Sequence, residues 1–343
     1  MKSIEKVNDI KNELLKWFRK NGRHWIPWKL KKDGSLPKSG ESISPYEIWI
    51  AEVMLQQTQL KVVIPYWKKW MKTFPHLGYL VEADEQDVLF VWQGLGYYSR
   101  AKRIYQSSKI LVTLIEKDSF ENPSSWPVSI DQWMTLPGIG RSTAGSIISS
   151  AFDLPEPILD GNVKRIFSRL LAIERTSIKD QKRLWELSSL LISNLSPRDF
   201  NQALMDLGAM ICTPKKPSCS SCPLKKFCVA YIKYDPQDFP KKEMKKINPL
   251  QEIGIGIVLN KNGELLIDQR LESVSMGGMW EFPGGKKNFD ESIEETIERE
   301  LKEELGIVVK VGAKLLSFDH AYTHKKLSFT VHICEWISGE PQP

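Results

Sequence analysis

No stretch of this chain is apolar for long enough to read as a membrane helix, which excludes a protein that crosses a bilayer by helices. The N-terminus argues against a secretion signal as well. Residues 1–20 alternate charged and apolar side chains, with Ile4, Val7, Ile10, Leu14 and Trp17 at helical spacing. Internal repeats and low-complexity tracts are absent, so no repeat array organises the chain. Cysteine is scarce: there are five in 343 residues, four of them between positions 212 and 228. That clustering, without a secretion signal, excludes a disulfide framework and leaves a metal site. A cytoplasmic protein of bacterial type, not attached to a membrane, is the expectation. What the chain does have is 41% hydrophobic content, enough for two domains with cores of their own.

Charge is divided unevenly. Residues 251–343 hold 10 Lys+Arg against 16 Asp+Glu, a net of −6, so residues 1–250 carry +12 of the overall +6. The basic part is the better footprint for a polyanion. Two segments within it carry candidate chemistry. Leu136-Pro137-Gly138-Ile139-Gly140 precedes Arg141-Ser142-Thr143-Ala144, where glycines permit a tight turn with exposed N–H groups and the next residues open a helix with its positive end facing the same way. A phosphate can dock at such a place. Glu52 lies in a helical stretch beside Trp49, Ile50, Val53 and Met54, surroundings that favour a raised carboxyl pKa, against the plainer reading of a solvated carboxylate on a helix surface. Cys212, Cys219, Cys222 and Cys228 form C-x6-C-x2-C-x5-C, with Lys215, Lys216, Lys225 and Lys226 around them. Four thiolates suit either zinc or an iron–sulfur cluster. Cys334 stands apart and reads as a buried strand residue.

Leu136–Ala144 together with Ile158-Leu159-Asp160-Gly161-Asn162-Val163-Lys164-Arg165 resembles the helix-hairpin-helix DNA glycosylase superfamily. Pro45–Gln59 (PYEIWIAEVMLQQTQ) is similar to its adenine DNA glycosylase family. The resemblance implies that Leu136, Gly138 and Gly140 belong to the hairpin that grips DNA phosphate. It makes Glu52 the general acid and places Asp160 in the active site, where it stabilises an oxocarbenium-like sugar, with Asn162 orienting the site. Releasing a purine requires a proton on the base and negative charge near C1′, and two carboxylates in unlike surroundings supply both. Related bifunctional enzymes similar to endonuclease III have a nucleophilic lysine where this chain has Ser142. A hydroxyl cannot form a Schiff base, so a monofunctional glycosylase is implied.

Further implications follow from the same resemblance. The cysteine spacing, preceded by Phe200–Ile211 (FNQALMDLGAMI), matches the [4Fe–4S] loop of these enzymes, whose role would be to shape a basic loop against DNA. Gln57 and Thr58 would contact the 8-oxoguanine side of the pair, and Leu95 and Tyr97 in Gly94–Arg100 would stack or wedge at the opened duplex. The implied partner is double-stranded DNA with adenine opposite 8-oxoguanine or guanine, bound by a monomer.

The pattern changes after a segment, 233–250, that reads as an exposed linker between a helical domain, 1–232, and a second domain, 251–343. Residues 253–259 and 264–267 read as strands around an Asn262-Gly263 turn. Gly285 to Ile307 fits the complete Nudix signature, G-x5-E-x7-R-E-U-x-E-E-x-G-U. Glu300, Glu303 and Glu304 share one face of its helix and are candidate Mg²⁺ ligands. In the family this domain reads 8-oxoguanine, and Tyr322-Thr323-His324 resembles the reading loop. The expected fold is therefore an all-α helix-hairpin-helix domain with an iron–sulfur loop, followed by an α/β (α+β) Nudix-like domain shortened at its C-terminus. The competing functions are a Nudix pyrophosphohydrolase of oxidised nucleotides, a pyrimidine-lesion glycosylase similar to endonuclease III, and a non-catalytic lesion-binding protein.

Overall fold

A computed structural model describes residues 2–116, 119–175, 177–192, 196–241, 249–271, 277–321 and 325–341. The chain divides into two compact units, Met1–Lys242 and Glu243–Pro343.

Unit 1 is helical. Its helices are α1 (Lys2–Asn21), α2 (Pro45–Leu55), α3 (Leu60–Thr73), α4 (Leu77–Glu82), α5 (Glu85–Trp92), α6 (Ser99–Leu114), α7 (Ile130–Met134), α8 (Arg141–Phe152), α9 (Gly161–Leu171), α10 (Ile178–Leu191), α11 (Pro197–Met210) and α12 (Val229–Lys233). Helix α2 starts where Ser44 accepts the Glu47 N–H and Pro45 presets the first turn. Tyr46, Ile48, Trp49, Ile50, Ala51, Val53 and Met54 are all buried, so α2 is apolar all round, as an interior helix must be. Buried aromatics surround it: Trp49 meets Trp133 at 6.5 Å and Tyr46 at 6.2 Å, and Trp70 donates to the Tyr46 hydroxyl at 3.1 Å. A second apolar cluster joins Ile10, Leu14 and Phe18 of α1 to Val163 and Phe167 of α9, Leu184 of α10 and Phe200, Leu204 and Leu207 of α11. Helix α8 packs against both α2 and α11, so it stands between the two cores. No described helix is long and apolar enough to cross a membrane.

The linker expected from residue 233 starts later. Phe239 is buried against Tyr234, its carbonyl accepts from Arg169 Nε at 3.0 Å, and Lys241 N–H reaches the Glu174 carbonyl at 2.6 Å. These contacts tie residues through 241 into unit 1. Residues 242–248 lie outside the described residues.

Unit 2 holds β1 (Leu250–Leu259), β2 (Asp268–Gln269), β3 (Trp280–Glu281), β4 (Gly284–Lys286), helix α13 (Ile293–Leu305), β5 (Val308–Ala321) and β6 (Lys326–Ser338). Four strands form a mixed sheet in the order β4-β1-β6-β5, with β1 parallel to β6 and antiparallel to β4; β2 and β3 pair separately. Helix α13 begins with a Ser292–Glu295 capping box and buries Ile297, Leu301 and Leu305 against Val258, Val309 and Cys334. Cys334 is thus the buried strand residue the sequence suggested. The expected strand at 264–267 is a correction. Beyond the Asn262-Gly263 turn the chain makes one bridge, Leu259 to Leu265, and a Leu266 N–H bond to Val258, while Leu265 and Ile267 stay exposed. Leu266 packs against the core of unit 2 while its neighbours stay exposed, so one side chain and one bridge hold this leg, too little to extend the ladder.

Candidate functional site

Three helices bring the catalytic candidates together. Glu52 sits in the last turn of α2, and its Oε1 accepts the Ser146 hydroxyl of α8 at 2.9 Å. Asp160 caps the N-terminus of α9: Oδ1 accepts the Val163 N–H at 2.8 Å and Oδ2 accepts Asn162 Nδ2 at 3.1 Å. Burial pushes the Glu52 carboxyl up to about 7. The Ser146 hydroxyl opposes that rise, the Asp160 charge adds to it, and the Lys29 ammonium opposes it. Lys29 is itself buried, 3.3 Å from Asp206, which also receives Arg23 at 2.6 Å. Burial drives the Lys29 amine below its ordinary range.

Asn162 is held from behind. Its Oδ1 accepts Arg165 Nη2 at 2.9 Å, and the same nitrogen reaches the Gly208 carbonyl at 2.7 Å. Gly208 lets α11 approach this corner: a Cβ there would stand 2.6 Å from the Asn162 Cβ. Arg165 Nε also donates to the Cys212 carbonyl at 2.7 Å.

The Leu136–Gly140 turn leads into α8 as expected. Gly138 has φ +80°, a conformation that disfavours any other residue, whereas Gly140 has an ordinary φ and a Cβ there would meet nothing within 4 Å. Among the described residues no atom would oppose a side chain at Gly140, which leaves open space in front of its backbone. Leu136 is a core side chain, 2% exposed, and offers only its backbone to a partner. Ser142, expected in the site, uses its oxygen to accept the Leu159 N–H at 2.9 Å, which fixes the approach to Asp160.

Gln57 is exposed at φ 60° just past α2, with Thr58 beside it, and Gln56 Nε2 donates to the Gly138 carbonyl at 3.3 Å. Tyr97, 44% exposed at φ 51°, stands on the neighbouring turn. Leu95, expected to stack or wedge at the opened duplex, is 6% exposed and packed in this turn. Tyr322, Thr323 and His324 lie outside the described residues.

Cys212, Cys219, Cys222 and Cys228 line one small cavity with Arg169, Ile211, Lys225, Tyr231 and Pro236. Arg169 Nη1 donates to Cys212 Sγ at 3.3 Å. Burial pushes the Cys222 thiol up to about 12 and raises Cys219 and Cys228 as well. Among the described residues no three Cys, His, Asp or Glu side chains stand together as a formed metal site.

In unit 2 the acidic helix is engaged with its own arginine. Arg299 makes a two-pronged contact with Glu291, at 2.7 and 2.9 Å, and reaches Glu300 at 2.9 Å, Glu303 at 3.0 Å and the Lys286 carbonyl at 3.1 Å. The Glu304 carboxyl is raised by burial and then by the charges of Glu300, Asp268 and Glu281. The sequence did not single out Ser146, Lys29, Arg165, Asp268 or Glu281. Ser146 was the most accessible of these, one helical turn beyond Ser142 on a segment already marked as a helix.

Residues 50–189 match the family model of the HhH-GPD superfamily base excision DNA repair proteins, and residues 254–343 match that of the NUDIX domain. A solved thermostable thymine-DNA glycosylase shares the fold of the helical unit, with a TM-score of 0.57 at 23% identity over 68% of this chain and all of that one. The helical fold and the two family models define a base-excision DNA repair protein that carries a Nudix domain. An adenine DNA glycosylase of Buchnera aphidicola subsp. Schizaphis graminum is 39% identical over 93% of this chain and 84% of its own length, and that of Mus musculus is 31% identical over 96% and 71%. The chain belongs to the adenine DNA glycosylase family.

Proposed function

We propose that this glycosylase hydrolyses the bond between adenine and its deoxyribose where adenine stands opposite 8-oxoguanine or guanine in duplex DNA. Glu52 is the general acid and Asp160 stabilises the sugar cation. The observation that carries this reading is the pairing of a Glu52 carboxyl held near 7 with an Asp160 whose two oxygens both accept hydrogen bonds. One group is ready to give a proton at neutral pH, and the other presents negative charge. Once adenine has left, Glu52 takes a proton from the attacking water. Asn162, braced by Arg165, keeps Asp160 oriented.

The hairpin at Gly138 and Gly140 grips a phosphate, and Gln57, Thr58 and Tyr97 meet the partner base. Ser142 supports hydrolysis without strand cleavage, since its oxygen is occupied by the Leu159 N–H and it carries no amine. The four cysteines hold a [4Fe–4S] cluster, a reading supported by their shared cavity and by Arg169 at Cys212. When bound, the cluster would fix the loop between α11 and α12 and compensate the thiolates, which burial disfavours. Unit 2 is a lesion reader whose acidic helix serves as a brace, because Arg299 already holds two of the three candidate Mg²⁺ ligands.

The test is single-turnover release of free adenine from duplexes with adenine opposite 8-oxoguanine or guanine, without base or heat, beside Glu52→Gln. Release by the parent with the strand intact, and none by the variant with duplex binding retained, is expected. Release that survives Glu52→Gln refutes the assignment.

A further inference from the structure

Arg100 is buried, at 4% exposed, yet it touches neither carboxylate of the site. Nη1 donates to the carbonyls of Val53 at 3.1 Å, Met54 at 2.7 Å and Gln56 at 2.7 Å. Nη2 donates to Thr58 Oγ1 at 3.1 Å and to the carbonyls of Leu95 at 3.5 Å and Gly96 at 3.1 Å. The guanidinium lies 5.1 Å from the Trp92 ring and 5.4 Å from the Tyr97 ring. One cation therefore caps the C-terminal, negative end of α2 and closes the turn that leads into α6. Burial lowers its pKa to about 10, so it stays charged in the working range.

The two segments it joins share an unusual feature. Gln57 and Tyr97 both adopt left-handed backbone, at φ 60° and φ 51°, which residues other than glycine seldom hold unless their surroundings impose it. The carbonyl before Gln57, the hydroxyl after it and the carbonyl before Tyr97 all receive Arg100. We infer that Arg100 is a positioning residue for recognition of the base opposite adenine: its planar fork holds Gln57 and Tyr97 in one fixed arrangement at the duplex. A lysine would keep the charge but not a fork that reaches both segments. The inference rests on the reading that Gln57 and Tyr97 meet the partner base.

The experiment compares the full-length parent, Arg100→Lys, the double variant Gln57→Ala/Tyr97→Ala, and all three changes together. It measures single-turnover adenine release opposite 8-oxoguanine and opposite guanine, and affinity for both duplexes built with a non-cleavable adenine analogue. Arg100→Lys is expected to lower the preference for 8-oxoguanine on the order of tenfold, mostly in affinity. The pH profile of the bound-state step should stay in place, because Glu52 keeps Ser146 and Asp160. In the double-variant background Arg100→Lys should cost no further preference. If the double variant loses preference while Arg100→Lys keeps it, or if the loss is the same in both backgrounds, the positioning role is overturned. If the double variant keeps full preference, the reading beneath it fails and the inference with it.

Should Arg100→Lys not fold, native-state hydrogen exchange on the parent decides the matter. Thr58 and Leu95 N–H groups are bonded to Leu55 and Trp92 carbonyls. They should exchange through a shared opening with the same denaturant dependence, and independent openings would overturn the clamp.

Discussion

Replacing Ser146 by alanine probes how the acid is tuned. The Ser146 hydroxyl donates to Glu52 Oε1 at 2.9 Å and so favours the ionised carboxyl. Glu52 acts as an acid in its protonated form, with its carboxyl held near 7. A hydrogen bond to a charged group is worth about 1.5 kcal/mol at the low end, suited to this partly buried position, and that corresponds to about one pKa unit. Losing the donor raises the pKa, so the limb where activity falls with rising pH should move from near 7 toward about 8. The variant acid is also weaker. With the proton half transferred at the transition state, the low-pH plateau should drop about threefold, and the two profiles should cross. The assay is single-turnover adenine release with enzyme in excess, from pH 5.5 to 9, with duplex affinity at pH 6 as the control. A limb that stays in place, or moves to lower pH, would refute the argument that Ser146 sets the Glu52 proton affinity.

Four other outcomes follow from the same geometry. Glu52 has a folded pKa above its unfolded one, so its contribution to stability is fully present below about 4.5 and lost as pH rises through about 7. Glu52→Gln should therefore match the parent near pH 4 and exceed it at pH 8 by at most about 3 kcal/mol, less whatever solvent access screens, in urea unfolding followed by tryptophan fluorescence of unit 1. Gly208→Ala places a Cβ 2.6 Å from the Asn162 Cβ and should slow adenine release by about a hundredfold if the corner shifts by an ångström, with near-normal duplex binding. Cys222→Ser should abolish bound iron and visible absorption and weaken duplex affinity; a protein that never contains iron in its parent form would instead point to zinc. Glu303→Gln/Glu304→Gln should leave adenine release unchanged, whereas Arg299→Leu should raise hydrogen exchange in residues 285–291, where it now holds Glu291 and the Lys286 carbonyl.

Much of the site was legible because its parts are local. Asp160 was marked by the likeness of its short motif to the family's, and it caps α9 through the Val163 N–H three residues on. Gly138 needs φ +80° and the residues after it open α8, facts that nine consecutive letters contain. The apolar neighbours of Glu52 signalled burial, and burial is the first cause of its raised carboxyl. Other expectations failed where the decisive contact is distant. The linker composition of residues 235–241 gave no sign that Arg169, some 70 positions earlier, would hold the Phe239 carbonyl.

The sequence by itself determined the candidate chemistry: which carboxylates, which turn, which cysteines, and a second domain with an acidic helix. Those signals survive in one dimension because caps, tight turns and motif spacings act over a few residues. Only the tertiary structure decided how the parts are tuned. Ser146 reaches Glu52 across 94 positions, Arg100 joins segments up to 47 positions away, and Arg299 occupies two of the acids that spacing alone would give to a metal. A side chain's partner is set by the packing of whole helices, and that packing depends on every buried residue at once.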